Sequence, residues 1–194
     1  KSAVFSFSKK GVSLITTTAL VFGSFAFVVP SEASALTAAL YPTGNGTYTA
    51  WENDWNEVDE TSGFSCSNSD YIKAGSTNAK ESFVVDLSGV PNGTMITSVD
   101  VLTYSRDDDD DNDNGEYRAL VRLNGVDSLS TGAPVSPSSD SGCSGPNTRT
   151  INVADTVKTG ATTLEIGVEK QNASSAGDVR VGAIHAVVTY VDVA

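Results

Sequence analysis

Apolar and polar residues alternate with a period of two through most of the chain beyond residue 70. In Phe83-Val84-Val85-Asp86-Leu87, positions 83, 85 and 87 share one face. In 117–123 the odd positions are apolar, while Arg118 and Arg122 point away. Residues 164–169 repeat the pattern. This is the side-chain period of extended backbone, so each segment is expected to be a strand with one wet face. Further strands are expected at 71–74, 95–105, 148–153 and 179–193. The last is long and apolar on both faces in its second half, as a central buried strand is. Pro91-Asn92-Gly93, Asn114-Gly115, Asn124-Gly125 and Thr159-Gly160 punctuate the pattern with turns. Only 154–158 reads as a short helical turn, with Asp155 as its cap. Many short strands with few helix formers predict an all-β fold, a single antiparallel β-sandwich of the jelly-roll type.

The first 35 residues break this pattern. Lys1, Lys9 and Lys10 precede an almost uncharged apolar stretch over 11–29, followed by Pro30 and the small-residue site Ala33-Ser34-Ala35. These are the parts of a secretory signal peptide. The expected organisation is a leader over 1–35 and one domain over 36–194, located outside the cell or on its surface. Membrane contact is then expected only through the leader, if it is retained.

The net charge is −12, with 24 acidic and 12 basic residues. Three of the lysines lie in the leader, so the remainder is more acidic still. Such a surface repels phosphate backbones, and no nucleic-acid partner is expected. Cys66 and Cys143 are the two cysteines, and in an oxidising compartment they are expected to form a disulfide. Closing so long a loop contributes about 4 kcal/mol in the chain-entropy description.

Two resemblances follow from particular residues. Tyr41-Pro42, the run from Gly44 to Trp51, Trp55-Asn56-Glu57, Asp70-Tyr71-Ile72, Ile96-Thr97-Ser98-Val99 and Leu164-Glu165-Ile166-Gly167-Val168 resemble a recurrent β-sandwich module of secreted, surface and phage-associated proteins. That module is similar in plan to jelly-roll carbohydrate-binding modules, which implies the architecture and no catalytic residue. Lys9-Lys10-Gly11-Val12-Ser13 resembles a type IV prepilin processing site, with Thr16 where that family carries glutamate. It implies a chain that keeps its apolar helix.

Chemistry has few places to reside. Asp110, Asn112 and Asn114, followed by Gly115, match the front half of an oxygen-rich Ca2+ loop, but Val121 stands at the twelfth position. The surrounding acidic run is expected to be a hairpin tip. Trp51 and Trp55 bracket Glu52 and Asp54, and rings beside carboxylates are what a sugar-binding surface uses. Their competing role is packing. His185 is the single histidine, expected on the face of Val181, Ala183 and Val187. With no Gly-x-Ser-x-Gly elbow, the chain is read as no enzyme. The expected function is a non-catalytic extracellular structural or adhesive protein, the subunit of a cell-surface filament. The alternatives are a carbohydrate-binding module and a pilin-like protein. Its expected partners are further copies of itself or a cell-surface glycan, with the apolar segment 36–41 as a strand donor.

Overall fold

The architecture is taken from a computed structural model, which describes residues 34–60, 71–74, 76–107, 115–137, 143–171 and 178–193. Ten strands, all antiparallel to their neighbours, form two sheets among these residues. The first contains β1 (Ala35–Leu40), β10 (Val179–Asp192), β5 (Thr94–Asp107) and β8 (Ser144–Val157) in that order, with β3 (Ile72–Ala74) also on β10. The second runs β2 (Pro42–Thr49), β4 (Lys80–Val85), β9 (Leu164–Lys170), β6 (Tyr117–Leu123) and β7 (Val126–Leu129). Trp55–Glu57 and Leu87–Gly89 are single 3₁₀ turns. The all-β sandwich expected from the alternation is the observed architecture.

The core lies between the two inner faces. Ile96, Val99 and Val101 of β5 and Ile184, Ala186 and Val188 of β10 meet Phe83, Val121, Leu164, Ile166 and Val168 from the opposite sheet, all buried. Tyr117 crosses this interior fully buried. Its hydroxyl donates to Ser105 Oγ at 2.9 Å and lies 2.6 Å from Thr103 Oγ1, so its polar end is satisfied by the far sheet.

β10 is central, as its apolar second half predicted. It carries β5 on one side and both β3 and β1 on the other. A register shift between Val181 and Ala183 changes which side chains face inward. Ile184, Ala186, Val188 and Tyr190 are therefore buried, while His185 is only half-buried, stacked on Tyr41 with ring centroids 5.5 Å apart. Val181 and Ala183 remain buried without it.

Two expectations are corrected. Residues 154–158 form no helical turn, because β8 runs through to Val157 and pairs with β5, Met95 opposite Val157. The strands flanking the acidic run form no hairpin, since β5 and β6 belong to different sheets, and residues 108–114 lie outside the described residues. Segment 36–41 contributes to β1, which pairs along β10 of its own chain, from Ala35 opposite Val191 to Leu40 opposite Ala186.

Gly167 in β9 lies hard against the backbone of β4. A Cβ there would run into the Glu81 carbonyl and stand 2.9 Å from Ser82 Cα. Gly167→Ala should cost about 3 kcal/mol in urea denaturation, since neighbouring backbone cannot yield cheaply. Wild-type stability in that variant would contradict this packing.

Candidate functional site

Strand alternation collects polar residues on the outer face of the second sheet. Lys80 and Ser82 of β4, Glu165 and Glu169 of β9, and Arg118 and Arg122 of β6 alternate with the buried positions of the same strands. β2 then covers part of this face. Five residues of β2, Asn45 to Thr49, oppose only three of β4, Phe83 to Glu81, and the surplus folds inward over the sheet. Gly46 makes that possible, because a Cβ there would lie 2.5 Å from both Glu165 Oε2 and Ser82 Oγ.

The fold-over is bound by a dense network. Thr47 donates its backbone N–H to Glu165 Oε2 at 2.8 Å and its hydroxyl to Oε1 at 2.7 Å. Ser82 Oγ donates to the same carboxylate at 2.7 Å and accepts the Tyr48 N–H at 3.0 Å. The Tyr48 ring lies against two cations, with Lys80 Nζ 5.0 Å and Arg122 Cζ 5.5 Å from its centroid. Its hydroxyl donates to Asp127 Oδ2 at 2.7 Å. Lys80 donates to the same oxygen at 3.0 Å, and Arg122 to Asp127 Oδ1 at 2.6 Å.

Charge follows from this geometry. Burial opposes ionisation of Asp127, but hydrogen bonds from Tyr48, Lys80 and Arg122 outweigh it and hold the carboxyl at about 2. Glu165 is lowered in the same way, burial being overcome by donation from Thr47 and Ser82. The Tyr48 phenol is pushed up, first by its hydrogen bond to Asp127. The arrangement fastens β2, β4, β6, β7 and β9 together through paired charge.

Glu81 is different. Its backbone belongs to β4, yet its carboxyl is buried and accepts the Trp51 N–H at 2.9 Å. Burial pushes it up to about 7, against the N–H groups of Trp51 and Ala50. It pins a crossing segment: Ala50 N–H donates to Lys80 O at 3.0 Å, and Glu52 bridges to Lys73 of β3 in the other sheet.

The residues singled out in the sequence fall into separate places. Trp51 is 5% exposed and donates Nε1–H to Ala79 O at 3.0 Å, so it packs and offers no ring face to a sugar. Trp55 is half-buried, while Glu52 and Asp54 are exposed. Asp54 accepts from Asn45 Nδ2 at 3.0 Å, and Asn45 Oδ1 accepts the Trp55 N–H at 3.1 Å. The calcium positions Asp110, Asn112 and Asn114 lie outside the described residues, as does Cys66. Cys143 is half-buried just before β8, and no described cysteine is free. Among the described residues no three His, Cys, Asp or Glu side chains converge as a metal ligand set.

A groove of about 560 Å3 opens where β2, β4 and β9 end. Val84, 41% exposed, lines it together with Thr43, Ser88, Thr162, Thr163 and Glu165. Sequence reasoning missed Lys80, Asp127 and Glu165 as partners. Alternation put them on wet faces, but their meeting depends on a strand order that local pattern does not carry.

No protein-family model and no curated protein matches this chain. Among solved structures, a similarity is found to the insecticidal crystal protein Cry2Aa at 14% identity and a TM-score of 0.36. It covers 82% of this chain and 21% of that protein, so the chain spans about a fifth of its length.

Two substitutions test the electrostatics. The lowered Asp127 carboxyl contributes stability that is present above about pH 4 and lost as pH falls towards 2. Asp127→Asn should therefore destabilise by about 2 kcal/mol at pH 7 and converge with wild type below pH 2. A gap that is independent of pH would contradict it. Glu81 has the opposite sign: its raised value favours the fold at low pH, and that contribution disappears as pH rises through about 7. Relative to wild type, Glu81→Gln should gain roughly 3 kcal/mol between pH 4.5 and 8. Parallel melting curves across that range would contradict it.

Proposed function

We propose that this protein is a non-catalytic, secreted structural or adhesive module, working by surface contact as the subunit of a cell-surface polymer. The observation that carries this reading is where the polar and apolar groups are placed. Carboxylates and cations on the outer face of the second sheet are engaged with one another, and Asp127 alone takes three donors. Large apolar side chains reach solvent mainly at strand edges and ends, at Leu36, Val126, Val157 and Val193. Contact surfaces are built from such apolar patches, whereas a general acid or base needs a carboxyl poised near neutrality beside a cleft. Glu81 has the titration but is sealed behind Trp51.

Secretion belongs to the same proposal, with the leader removed after Ala35 and a Cys66–Cys143 bond formed outside the cytoplasm. A retained helix starting at Val12 is the pilin-like version.

A second reading, carbohydrate binding, is favoured by the groove beside β4. Threonine and serine hydroxyls beside the exposed Val84 suit a saccharide. The site is then the groove rather than the two tryptophans.

The test is mass spectrometry and electron microscopy of native secreted material. A mature N-terminus at Leu36 together with polymers or cell adhesion is expected. Monomers that adhere to nothing and bind a glycan panel only through the groove would replace the first reading with the second.

A further inference from the structure

The two outer edges of the first sheet match each other. Three cavities follow one another along β8. One of about 310 Å3 lies between Ser128 and Leu129 of β7 and Thr150, Ile151 and Asn152 of β8. A second, of about 170 Å3, shares Ser128 and continues past Val126 and Val153 to Thr156. A third, of about 430 Å3, shares Asn124 with the second and ends at Val157 and Thr159. Together they make a groove between the four-residue β7 and the fourteen-residue β8. Val126 is 67% exposed and Val157 51% exposed along it. Among the described residues, β8 pairs only with β5, so its outer ladder of backbone groups is open.

The opposite edge is β1. Its six residues, Ala-Leu-Thr-Ala-Ala-Leu, carry no charge and no proline, and they pair with β10 without a bulge. Leu36 is 42% exposed there, with Val193 nearby at 47%. Edge strands are normally guarded by charge, proline or a bulge, and β1 has none of these.

Register and direction connect the two edges. Following the paired residues across the sheet, Leu40 is level with Ala186, Val101 and Arg149. Ala35 is level with Val191, Met95 and Val157. β1 thus stands at the height of the grooved stretch of β8. The path β1-β10-β5-β8 has four strands that alternate in direction. A second copy shifted along the sheet therefore brings its β1 antiparallel to β8 with no reversal. The second sheet, with five strands, would bring β2 parallel to β7. Ala38 and Ile151 share the inward face, so Leu36, the exposed residue on that face of β1, would meet the groove, while Leu40 stays in its own core.

We propose that a second copy of this chain docks its β1 edge on β8, continuing the first sheet from copy to copy in an open, head-to-tail polymer. This rests on the structural-subunit reading above and specifies its interface. A heterologous contact of this kind does not close on itself and so gives a filament. The bulge where Ile96 and Ser98 face Thr156 and Asn152 divides the new ladder into two short stretches. With the leader removed after Ala35, the edge is the five residues from Leu36 to Leu40, about 17 Å long; it buries under about 1,000 Å2 in total, so assembly is concentration-dependent. The net negative charge on each copy makes it stronger in salt.

The test places one cysteine on each edge at the same height, Ala39→Cys with Thr150→Cys, both exposed positions. Under oxidation in moderate salt, the double variant should give a ladder of covalent oligomers that reductant collapses. Each single variant should stay uncrosslinked, because a head-to-tail contact never brings two copies of the same edge together. Thr37→Cys with Asn152→Cys is the second pair, used if the first fails to melt like wild type. A double variant that melts normally and stays uncrosslinked while wild type still polymerises overturns the edge pairing and leaves the subunit reading standing. Wild type that neither polymerises nor adheres at any concentration overturns both.

Discussion

β10 sets the register of the first sheet. It is fourteen residues long, with β5 on one side and β3 and β1 on the other, so three other strands take their height from it. Sheet side chains repeat every two residues, and a slip of one would turn Ile184, Ala186 and Val188 from the core to solvent. Each such exposure costs about 2 kcal/mol, which makes alternative registers uncompetitive. The shift between Val181 and Ala183 lets one strand keep buried residues on both sides of the irregularity.

The second sheet is secured differently. Its inner face is apolar, but its outer face is held by charge and hydrogen bonds beneath the folded-over end of β2. Tyr48 is the organising side chain, since its ring meets two cations and its hydroxyl meets the carboxylate they share. Such a cluster stabilises by mutual satisfaction, and a half-complete version would be worse than apolar residues. Tyr117 performs the corresponding task inside, carrying a hydroxyl from β6 to Thr103 and Ser105 of β5.

How much of this was legible in sequence depends on whether the deciding contact is local. β6 and β9 could be read directly because each alternates cleanly, and β10 could be read as central from its doubly apolar half. Residues 154–158 misled because Ala154, Asp155 and Lys158 suit a helical turn, while the pairing of Thr156 and Val157 with β5 decides the outcome. The acidic run looked like a hairpin because β5 and β6 are consecutive, and nothing in either strand says that they belong to different sheets. Trp51 looked like a ligand platform because its neighbours are polar. Its burial comes from Ala79 and Glu81, thirty residues away. The groove along β8 was invisible for the same reason, being made by β7 and β8 from opposite sheets.

On the proposed reading the protein acts through its borders, with β10 as the fixed reference and the β1 and β8 edges as variable contacts. Hydrogen–deuterium exchange at rising protein concentration addresses this most directly. β10 and β5 amides should be the slowest at every concentration, and β1 and the Arg149–Val157 stretch should start fast and gain protection together. Protection gained elsewhere during assembly, or a β10 that exchanges as fast as the edges, would contradict it.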